Sequence, residues 1–309
     1  MPAKHLQVDW TGIDDPTGFL HSFAKSLYAA ALHSPYADRA EDVIAASGFA
    51  FRMWIDAGQF CPSAMSTWDF ERQKPWTENA GLACANAGRY WEQDEFEAER
   101  RTQAVELIRQ SIDRGAPAVA WDVADCEWGL VTGYDDDRRQ FDTLPAFAPA
   151  STLAYDKLGR GEIPILSVLT LTGRADRSDD QIVAGTLRLA ADHLYGREWC
   201  ENASGLAVYP VLFAFLSDRF VPELDWNFAY TLGAFAALKG SAARFFVKHG
   251  LSELAALYRS IADNWLAACR LRECQDVHTE AVRSELTALL RAAQDGELRA
   301  AAVMENLCC

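Results

Sequence analysis

The chain has 309 residues, of which 50% are hydrophobic, so it is long enough to bury a full core and to form two domains. Its formal net charge is −15, and a surface of that sign repels phosphate backbones and anionic membranes. No apolar run approaches the roughly 20 residues that span a bilayer, and residues 1–15 lack the apolar core of a secretion signal, so we expect a cytoplasmic protein without nucleic acid or membrane partners.

The first predicted element is an amphipathic helix over residues 16–32, where apolar side chains recur three and four residues apart. These side chains are those of Phe19, Phe23, Leu27, Ala30 and Ala31. Two candidate site residues, His21 and Ser22, lie within this helix. His21 could act as a base for Ser22, but neighbouring residues on a helix point about 100° apart. We therefore interpret His21 as an ordinary surface or half-buried histidine.

A short strand is predicted over residues 49–55, and it ends at Asp56. Because side chains alternate along a strand, Arg52 and Trp54 would share one face, which suits an anion or a stacked ring. A salt bridge from Arg52 to one of the aspartates at 135–137 is the alternative. Further along, residues 95–114 have the apolar spacing of a second helix.

Residues 114–142 predict a strand, an acidic loop, a second strand and a turn into a third strand. The first two strands cover residues 118–121 and 128–132, each of which is a short apolar run. Trp128 and Tyr134 lie on or directly after the second strand. We include both among the candidate ligand-binding residues.

The pattern changes after an apolar strand predicted within residues 162–174. We expect two domains: residues 1–175, which mix helices and strands, and residues 176–309, which are helical. No charge-rich or Ser/Gly linker divides them, so we expect docked domains with the ligand site in the cleft between them. The helices of the second domain are predicted over residues 179–196, 204–220, 226–249, 252–276 and 279–304.

In the helical domain, Trp226, Tyr230 and Arg244 are candidates to point into that cleft. The alternative is that Trp226 and Tyr230, which are four residues apart, belong to the core. His193 has carboxylates nearby in sequence, but only one histidine contributes. We therefore expect no metal site and no cofactor.

The eight cysteines do not indicate disulfides, because most lie singly in apolar or helical stretches of a chain expected in the cytosol. Neither Cys269 with Cys274 nor the terminal pair Cys308 and Cys309 has the partners that a zinc site needs. Cys61 is an alternative thiol on a loop, but no histidine is close to it in sequence. We interpret Cys61 as buried filler and leave the role of the terminal pair open.

Several short motifs resemble the butirosin-biosynthesis H-protein family, which is itself similar to the bacteriocin-leader-processing peptidases of the papain-like clan. In the first half these motifs are residues 21–22, 47–52, 115–117, 127–136 and 141–142. In the second half they are residues 226–230 and 241–246. The resemblance covers nearly the whole chain. It implies an α+β fold in which a papain-like N-terminal domain packs on an all-α C-terminal domain.

The resemblance also implies a cysteine nucleophile at a helix N-terminus, a histidine base and a third residue that orients the histidine. Those positions hold Ser22, Glu127 and Asp142 here, and no histidine lies between His33 and His193. A serine hydroxyl is a weaker nucleophile than a thiolate, and an unperturbed glutamate is a poor base near neutral pH. The triad is therefore degenerate. Burial beside Asp142 would make Glu127 a better general acid or base, and the alternative is a solvated carboxylate at a strand end.

Two classes of function remain, beside a non-catalytic protein-interaction module. The first is a papain-like-fold protein of bacterial specialised metabolism that binds or transforms a small, amine-bearing molecule without a thiol nucleophile. The second is an acyltransferase or amide-cleaving enzyme, which the resemblance implies. We expect a small-molecule ligand in either case, and a homodimer is left open.

Overall fold

A computed structural model describes residues 3–66, 68–124, 126–217 and 220–308. The predicted α+β class is confirmed, because an antiparallel sheet occupies the N-terminal part and helices fill the C-terminal region. Cys309, one half of the terminal cysteine pair, lies outside the described residues. The strands are β1 (Ala3–His5), β2 (Trp54–Ile55), β3 (Leu82–Arg89), β4 (Ala118–Trp121), β5 (Trp128–Asp135), β6 (Gln140–Pro145), β7 (Ser151–Ala154), β8 (Leu166–Arg174) and β9 (Ala203–Ser204). The helices are α1 (Ser22–Leu32), α2 (Ala40–Ala46), α3 (Gln73–Asn79), α4 (Glu97–Asp113), α5 (Asp179–Leu194), α6 (Val208–Ser217), α7 (Asp225–Lys248), α8 (Ser252–Cys274) and α9 (Glu280–Cys308).

Two compact units make up the chain, and each combines separate stretches of sequence. The last change from one unit to the other falls between Ser178 and Asp179, close to the boundary predicted at residue 175. Residues 14–21 and 44–69, however, group with the helical region. The first unit comprises Met1–Ile13, Ser22–Val43 and Phe70–Ser178, and the second comprises Asp14–His21, Ile44–Asp69 and Asp179–Cys309.

The first unit contains a seven-stranded antiparallel sheet within the described residues. Its strands lie in the order β3-β8-β4-β5-β6-β7, and β1 pairs with the far end of β5. The three strands predicted within residues 114–142 are confirmed as β4, β5 and β6, and the apolar strand near residue 170 is confirmed as β8.

Helix α4 covers one face of this sheet. Ala104, Ile108 and Ile112 recur every four residues and are fully buried, so they form one apolar stripe. The stripe packs on Ala118 and Ala120 of β4 in a shared core. Each fully buried isoleucine contributes roughly 2–3 kcal/mol relative to an exposed one. The predicted second helix is therefore confirmed, and its packing holds the sheet.

Helix α1 covers the opposite face. Side chains alternate along a strand, so Trp121 points away from Ala120 and toward α1. The ring of Phe23 on α1 meets the ring of Trp128 edge to face, with centroids 4.9 Å apart. The helix begins at Ser22, six residues later than predicted, because Gly18 has a left-handed φ of 75° that no helix accommodates. Ser22 is therefore the first residue of α1.

The strand predicted over residues 49–55 is mostly wrong. Phe49–Phe51 form a 3-10 turn that Gly48 introduces with a left-handed φ of 86°, and only Trp54–Ile55 are extended. An added Cβ at Gly48 would lie 2.5 Å from Nη1 of Arg52. The turn forms because glycine admits both this backbone conformation and the close approach of the guanidinium group.

The second unit is built mainly from α5 to α9, and the helices predicted after residue 178 are all present. Phe51 belongs to its core, since its ring lies 5.7 Å from that of Phe246 and 5.3 Å from that of Tyr258. Lys239 of α7 and Glu297 of α9 form an ion pair with an Nζ–Oε1 distance of 2.7 Å, and neither side chain is exposed. Among the described helices, none has the combination of length and apolar character that crossing a membrane requires.

Candidate functional site

The structure brings together two of the three residues that the resemblance assigns to catalysis. The hydroxyl of Ser22 donates a hydrogen bond to Oε2 of Glu127 over 2.5 Å. The backbone N–H of Trp128 donates to the same hydroxyl over 3.3 Å. Ser22 is buried and Glu127 is half-buried. A hydroxyl at a helix N-terminus therefore faces a carboxylate at the beginning of β5.

The β4–β5 hairpin determines where Glu127 lies. Trp121 pairs with Trp128, and the backbone N–H of Asp122 donates to the carbonyl of Glu127 over 2.9 Å. Asp122 has a left-handed φ of 52°, a conformation that aspartate tolerates better than most residues. The turn residues thus fix the carboxylate opposite the first residue of α1.

Aromatic rings pack around Trp128, the residue that follows Glu127 in the chain. The indole of Trp128 meets Trp121 at 5.4 Å and Phe70 at 5.5 Å, in addition to Phe23. Its side chain is fully buried, so it packs in the interior and does not present a surface to a ligand. The prediction of Trp128 as a ligand-binding residue is therefore corrected, because the indole supports the backbone N–H that contacts Ser22.

Asp142 lies away from this pair. It is opposite Gly133 on β5, five residues and about 17 Å beyond Trp128. Its carboxylate accepts a hydrogen bond from Nδ1 of His5 over 3.0 Å. The β6 residues opposite the beginning of β5 are Leu144 and Pro145, so β6, which is described throughout, supplies no carboxylate there. Asp142 as the orienting residue is thus a correction: the register of the sheet separates it from Glu127.

Tyr134 belongs to the core under α4. Its hydroxyl donates to Oδ1 of Asp113 over 2.9 Å, and the guanidinium of Arg109 lies 5.4 Å from its ring. Burial, together with the hydrogen bond to Asp113, raises the pKa of Tyr134. Its prediction as a ligand-binding residue is corrected, since the side chain is buried and its hydroxyl already has a partner.

Arg52 is buried in the second unit and has a carboxylate partner there. Nε and Nη2 donate to the two oxygens of Glu198 over 3.2 and 2.8 Å, and Nη1 donates to the carbonyl of Ser47 over 2.6 Å. Nδ1 of His193 lies 2.9 Å from the same carboxylate. Although burial opposes ionisation, Arg52 and His193 hold the pKa of Glu198 well below its usual range. Both predictions for Arg52, a ligand contact and a salt bridge to residues 135–137, are corrected.

Trp54 and His21 also lie in the interior of the second unit. Trp54 stacks on Trp68 with centroids 5.5 Å apart, and it is 2% exposed. His21 is 2% exposed, and its Nε2 lies 2.7 Å from the carbonyl of Met65. Burial lowers the pKa of His21 to about 4. Trp54 is thus corrected from ligand contact to core, and the interpretation of His21 as a surface or half-buried residue is wrong.

The three candidates on α7 have different surroundings. Trp226 is 59% exposed, whereas Tyr230 is 5% exposed and packs edge to face against Phe19 at 5.5 Å. The alternative of core packing thus holds for Tyr230 and not for Trp226. The guanidinium of Arg244 contacts the carboxylate of Asp14, so it already has a counter-charge.

Burial raises the pKa of four cysteines, which are Cys84, Cys126, Cys200 and Cys269. Cys126 is the cysteine closest to Glu127 in sequence, and burial together with Asp122 and Glu162 raises its pKa. Burial raises the pKa of Cys84 to about 12. Cys61 is exposed, so its interpretation as buried filler is wrong. The described part of the chain also has no group of three His, Cys, Asp or Glu residues that could hold a metal ion.

The sequence did not single out Trp121 and Phe70, whose rings pack against that of Trp128. Trp121 could have been found, because the two predicted strands form a hairpin that places it opposite Trp128. Phe70 lies in a short 3-10 turn without apolar periodicity, so no local signal marks it.

Neither a scan against protein-family models nor a search of curated proteins found a match for the chain. The geometry of the described residues is therefore the basis for a functional proposal.

Proposed function

We propose that the chain binds or transforms a small, amine-bearing molecule at the Ser22–Glu127 pair, without a thiol nucleophile. The observation that carries this proposal is the 2.5 Å hydrogen bond from the Ser22 hydroxyl to the Glu127 carboxylate. Glu127 is half-buried, so part of this residue is accessible to a ligand. A net charge of −15 also attracts cationic amines to the surface.

The transformation that fits these atoms best is acyl transfer through an oxygen nucleophile. Ser22 Oγ forms a bond to the acyl carbon while its proton passes to Oε2 of Glu127. The leaving group departs with its electron pair and takes that proton. An amine, or water, then attacks the acyl-serine, loses a proton to Glu127, and the proton returns to Ser22 Oγ as the ester bond breaks.

The position of Ser22 supports this chemistry. The first N–H groups of an α-helix lack intrahelical partners and carry a partial positive charge, so they can stabilise the oxyanion of a tetrahedral intermediate. The N–H of Trp128 donates to Oγ, which leaves the hydroxyl proton directed at the carboxylate. The arrangement thus orients a lone pair of Ser22 and provides an acceptor for its proton.

The strength of the base limits the choice of acyl donor. The ordinary pKa of a glutamate is about 4.3 and that of a histidine about 6.5, so a carboxylate removes a hydroxyl proton less readily. Activated donors such as esters and thioesters need less assistance than amides. We therefore favour transfer from an activated acyl group over amide cleavage.

Covalent labelling tests the proposal directly. Wild-type protein is treated with a fluorophosphonate, which forms a bond to nucleophilic serines, and labelling is located by mass spectrometry. We expect label on Ser22, loss of label in Ser22→Ala, and at least roughly a hundredfold slower labelling in Glu127→Gln, the scale of a lost general base. Ser26→Ala, on the same helix and fully buried, is the matched control.

Binding measurements distinguish a protein that only binds the amine from an enzyme that transforms it. Spermidine binding, followed by calorimetry, should weaken in Glu127→Gln and persist in the control variant Glu92→Gln, which removes an exposed carboxylate of the same unit. Binding without labelling of Ser22 would identify a binding protein and not an enzyme. If Ser22 is not labelled and Glu127→Gln binds spermidine like wild type, the proposal fails and the protein-interaction module remains.

A further inference from the structure

A cavity of about 580 Å³ lies in the first unit, beside helix α4. Its other walls are the turn between β5 and β6 and the 3-10 turn Tyr155–Lys157. This volume is in the range of small-molecule sites. Among the described residues, six charged side chains line the cavity, and they are Arg101, Glu106, Arg109, Asp136, Arg139 and Asp156.

The cavity lies on the side of the sheet that α4 covers. Val105 and Tyr155 line it, and both belong to the apolar packing beneath α4. Ser22 begins α1, which covers the opposite face of the sheet, and its hydroxyl contacts Glu127 there. The cavity is therefore separate from the Ser22–Glu127 pair.

Four of the six charged side chains contact an opposite charge within the protein. Nη2 of Arg109 donates to Oδ2 of Asp136 over 2.8 Å, and Nη1 of Arg109 donates to Oε2 of Glu106 over 3.0 Å. The guanidinium of Arg101 contacts the carboxylate of Glu97. The two lining side chains that remain are one cation and one anion.

Arg139 is the cation. Its guanidinium carbon lies 5.6 Å from the centre of the Tyr155 ring. That ring is buried and its hydroxyl donates to Oδ1 of Asp136 over 3.0 Å, so the surface beneath the guanidinium is fixed. Within the described part of the chain, the Arg139 side chain forms no hydrogen bond and no ion pair. Its planar set of N–H groups is thus available to a carboxylate, whose geometry it matches.

Asp156 is the anion, and it belongs to a segment that pairs with Arg139. The backbone N–H of Tyr155 donates to the carbonyl of Arg139 over 2.9 Å, and Asp156 is the following residue. Asp156 is exposed, and it forms no ion pair with any residue that the structure describes. Two groups of opposite charge therefore line one cavity from adjacent segments. An α-amino acid, which carries an ammonium group and a carboxylate on one carbon, complements this arrangement.

The charges around the cavity also sum to zero. The six lining side chains are three guanidinium groups and three carboxylates. Outside the lining, Glu97 also contacts Arg160, and this further pair adds no net charge. The cavity thus has no excess of one sign to attract a ligand with a single charge, whereas a zwitterion contacts both Arg139 and Asp156.

A stretch of α4 forms the rest of the wall. Ala98, Thr102 and Val105 line the cavity at helical spacing. Ala98 and Val105 are seven residues apart, which is about 10 Å along a helix. An apolar side chain on the ligand can therefore contact α4 while the charged end of the ligand meets the opposite wall.

We infer that this cavity binds a free α-amino acid with an apolar side chain, whose carboxylate contacts Arg139 and whose ammonium group contacts Asp156. An amino acid within a peptide lacks at least one of these charges at its α-carbon, so the free amino acid is the better ligand. Because the cavity and Ser22 lie on opposite faces of the sheet, the inference does not rest on the proposed function.

The first measurement compares three ligands of similar shape, whose binding to the full chain is followed by calorimetry. L-Phenylalanine carries both charges, phenethylamine lacks the carboxylate, and 3-phenylpropionate lacks the ammonium group. We expect L-phenylalanine to bind at least about tenfold more tightly than either analogue, the scale of one lost hydrogen bond between charged groups. Glu127→Gln should bind L-phenylalanine like wild type.

Substitutions of the two charged residues should change the selectivity in opposite ways. Arg139→Gln should weaken L-phenylalanine and 3-phenylpropionate at least about tenfold and leave phenethylamine unchanged. Asp156→Asn should weaken L-phenylalanine and phenethylamine and leave 3-phenylpropionate unchanged. Arg138→Gln and Asp137→Asn, at exposed positions of the same turn outside the cavity, are the matched controls and should change binding less than about twofold. A merely structural role would weaken all three ligands.

A steric substitution tests the location of the site. Thr102 is exposed on α4 and lines the cavity, so Thr102→Trp should place its ring in the space of the ligand and prevent binding of L-phenylalanine. Gln103→Trp, at the next exposed position and outside the lining, is the control and should bind like wild type.

Three outcomes would overturn the inference. Wild type that binds no L-phenylalanine has no amino acid site of this kind, and labelling of Ser22 then still decides the proposed function. If phenethylamine binds as tightly as L-phenylalanine and Arg139→Gln binds both like wild type, the cavity takes a cation and not a zwitterion. If Glu127→Gln loses L-phenylalanine binding while Thr102→Trp keeps it, the amino acid binds at the Ser22–Glu127 pair instead.

Discussion

Two carboxylates of this protein, Glu127 in the first unit and Glu297 in the second, have different partners. Glu127 is half-buried and accepts a hydrogen bond from the neutral hydroxyl of Ser22. Glu297 is fully buried, lies 2.7 Å from the ammonium of Lys239, and accepts a hydrogen bond from the hydroxyl of Tyr209 over 3.1 Å. The carboxylate of Glu297 is thus enclosed with its counter-charge, whereas that of Glu127 is half-buried and meets the hydroxyl of Ser22.

The second unit contains further charges that compensate each other in the interior. Arg52 and Glu198 form one such pair, which Nδ1 of His193 also contacts, and Lys239 with Glu297 forms another. Removing one partner of such a pair lowers the free energy of unfolding, because the other partner stays buried without a counter-charge. The comparison thus predicts large losses of stability from substitutions in the second unit and losses of function from substitutions at Ser22 or Glu127.

The largest effect should come from truncation. A fragment of residues 1–174 lacks Phe246 and Tyr258, which pack on Phe51, and Glu198, which compensates Arg52. Residues 44–69 then lack the helices on which they pack, so their apolar side chains are exposed. The fragment should therefore bind ANS and show no cooperative unfolding transition in urea. A monomeric fragment with a sharp unfolding transition would show that these residues do not depend on the helices.

The second-largest effect is expected from removing one partner of the Lys239–Glu297 ion pair. Lys239→Met should lower the free energy of unfolding by about 3–5 kcal/mol, because Glu297 would remain buried without its counter-charge. Chemical denaturation measures this loss. The double variant Lys239→Met with Glu297→Gln should recover most of it, since the amide oxygen still accepts from Tyr209. A single variant as stable as wild type would contradict the role assigned to the pair.

Acid should destabilise the protein through its buried histidines. The pKa of His21 falls from 6.5 to about 4 on folding, because burial disfavours the charged ring. The unfolded chain therefore binds the proton first as the pH falls. The contribution of His21 is complete above pH 6.5 and is lost toward pH 4, on the order of 3 kcal/mol. His193, whose pKa is also lowered by burial, acts in the same direction.

Urea unfolding at several pH values measures this dependence. His21→Gln keeps a donor for the carbonyl of Met65 and cannot titrate, so its stability should fall less steeply between pH 6.5 and 4 than that of wild type. His5→Gln, at an exposed position, is the control and should keep the wild-type slope. Equal slopes in all three proteins would mean that His21 is not the titrating group.

Glu127→Gln should change stability little, in contrast to Lys239→Met. The amide oxygen still accepts the hydroxyl of Ser22, so we expect less than about 1 kcal/mol of lost stability. Denaturation in the same urea series measures it. A loss as large as that of Lys239→Met would place Glu127 with Glu297, as a packing residue, and contradict the proposed function.

The smallest effect should come from thiol alkylation. Iodoacetamide at pH 7 should modify the exposed Cys61 and Cys274 first, while burial and nearby acidic groups raise the pKa of Cys126 and slow its reaction. Fluorophosphonate labelling of Ser22 should then proceed at an unchanged rate. Rapid modification of one thiol, with loss of that labelling, would identify a cysteine as the nucleophile.

Local patterns predicted much of the secondary structure. The apolar spacing within residues 95–114 predicted α4, and short apolar runs between turn residues predicted β4 and β5. Helical spacing likewise predicted the helices after residue 178. These predictions succeed because an element that packs on one face repeats its apolar side chains with its own period. The contact between Ser22 and Glu127 was predicted from the family resemblance and not from periodicity.

The tertiary structure determined which residues lie opposite each other and which are buried. The pairing of β5 with β6 shifts between Val131 and Gly133, so the position of Asp142 could not be read from its distance in sequence to Glu127. The alternation predicted that Arg52 and Trp54 share a strand face, but their burial depends on Glu198 and Trp68, which lie elsewhere in the chain. The sequence by itself thus determined the periodic elements and the acidic surface. Register and burial depend on contacts between residues distant in sequence, which no local pattern contains.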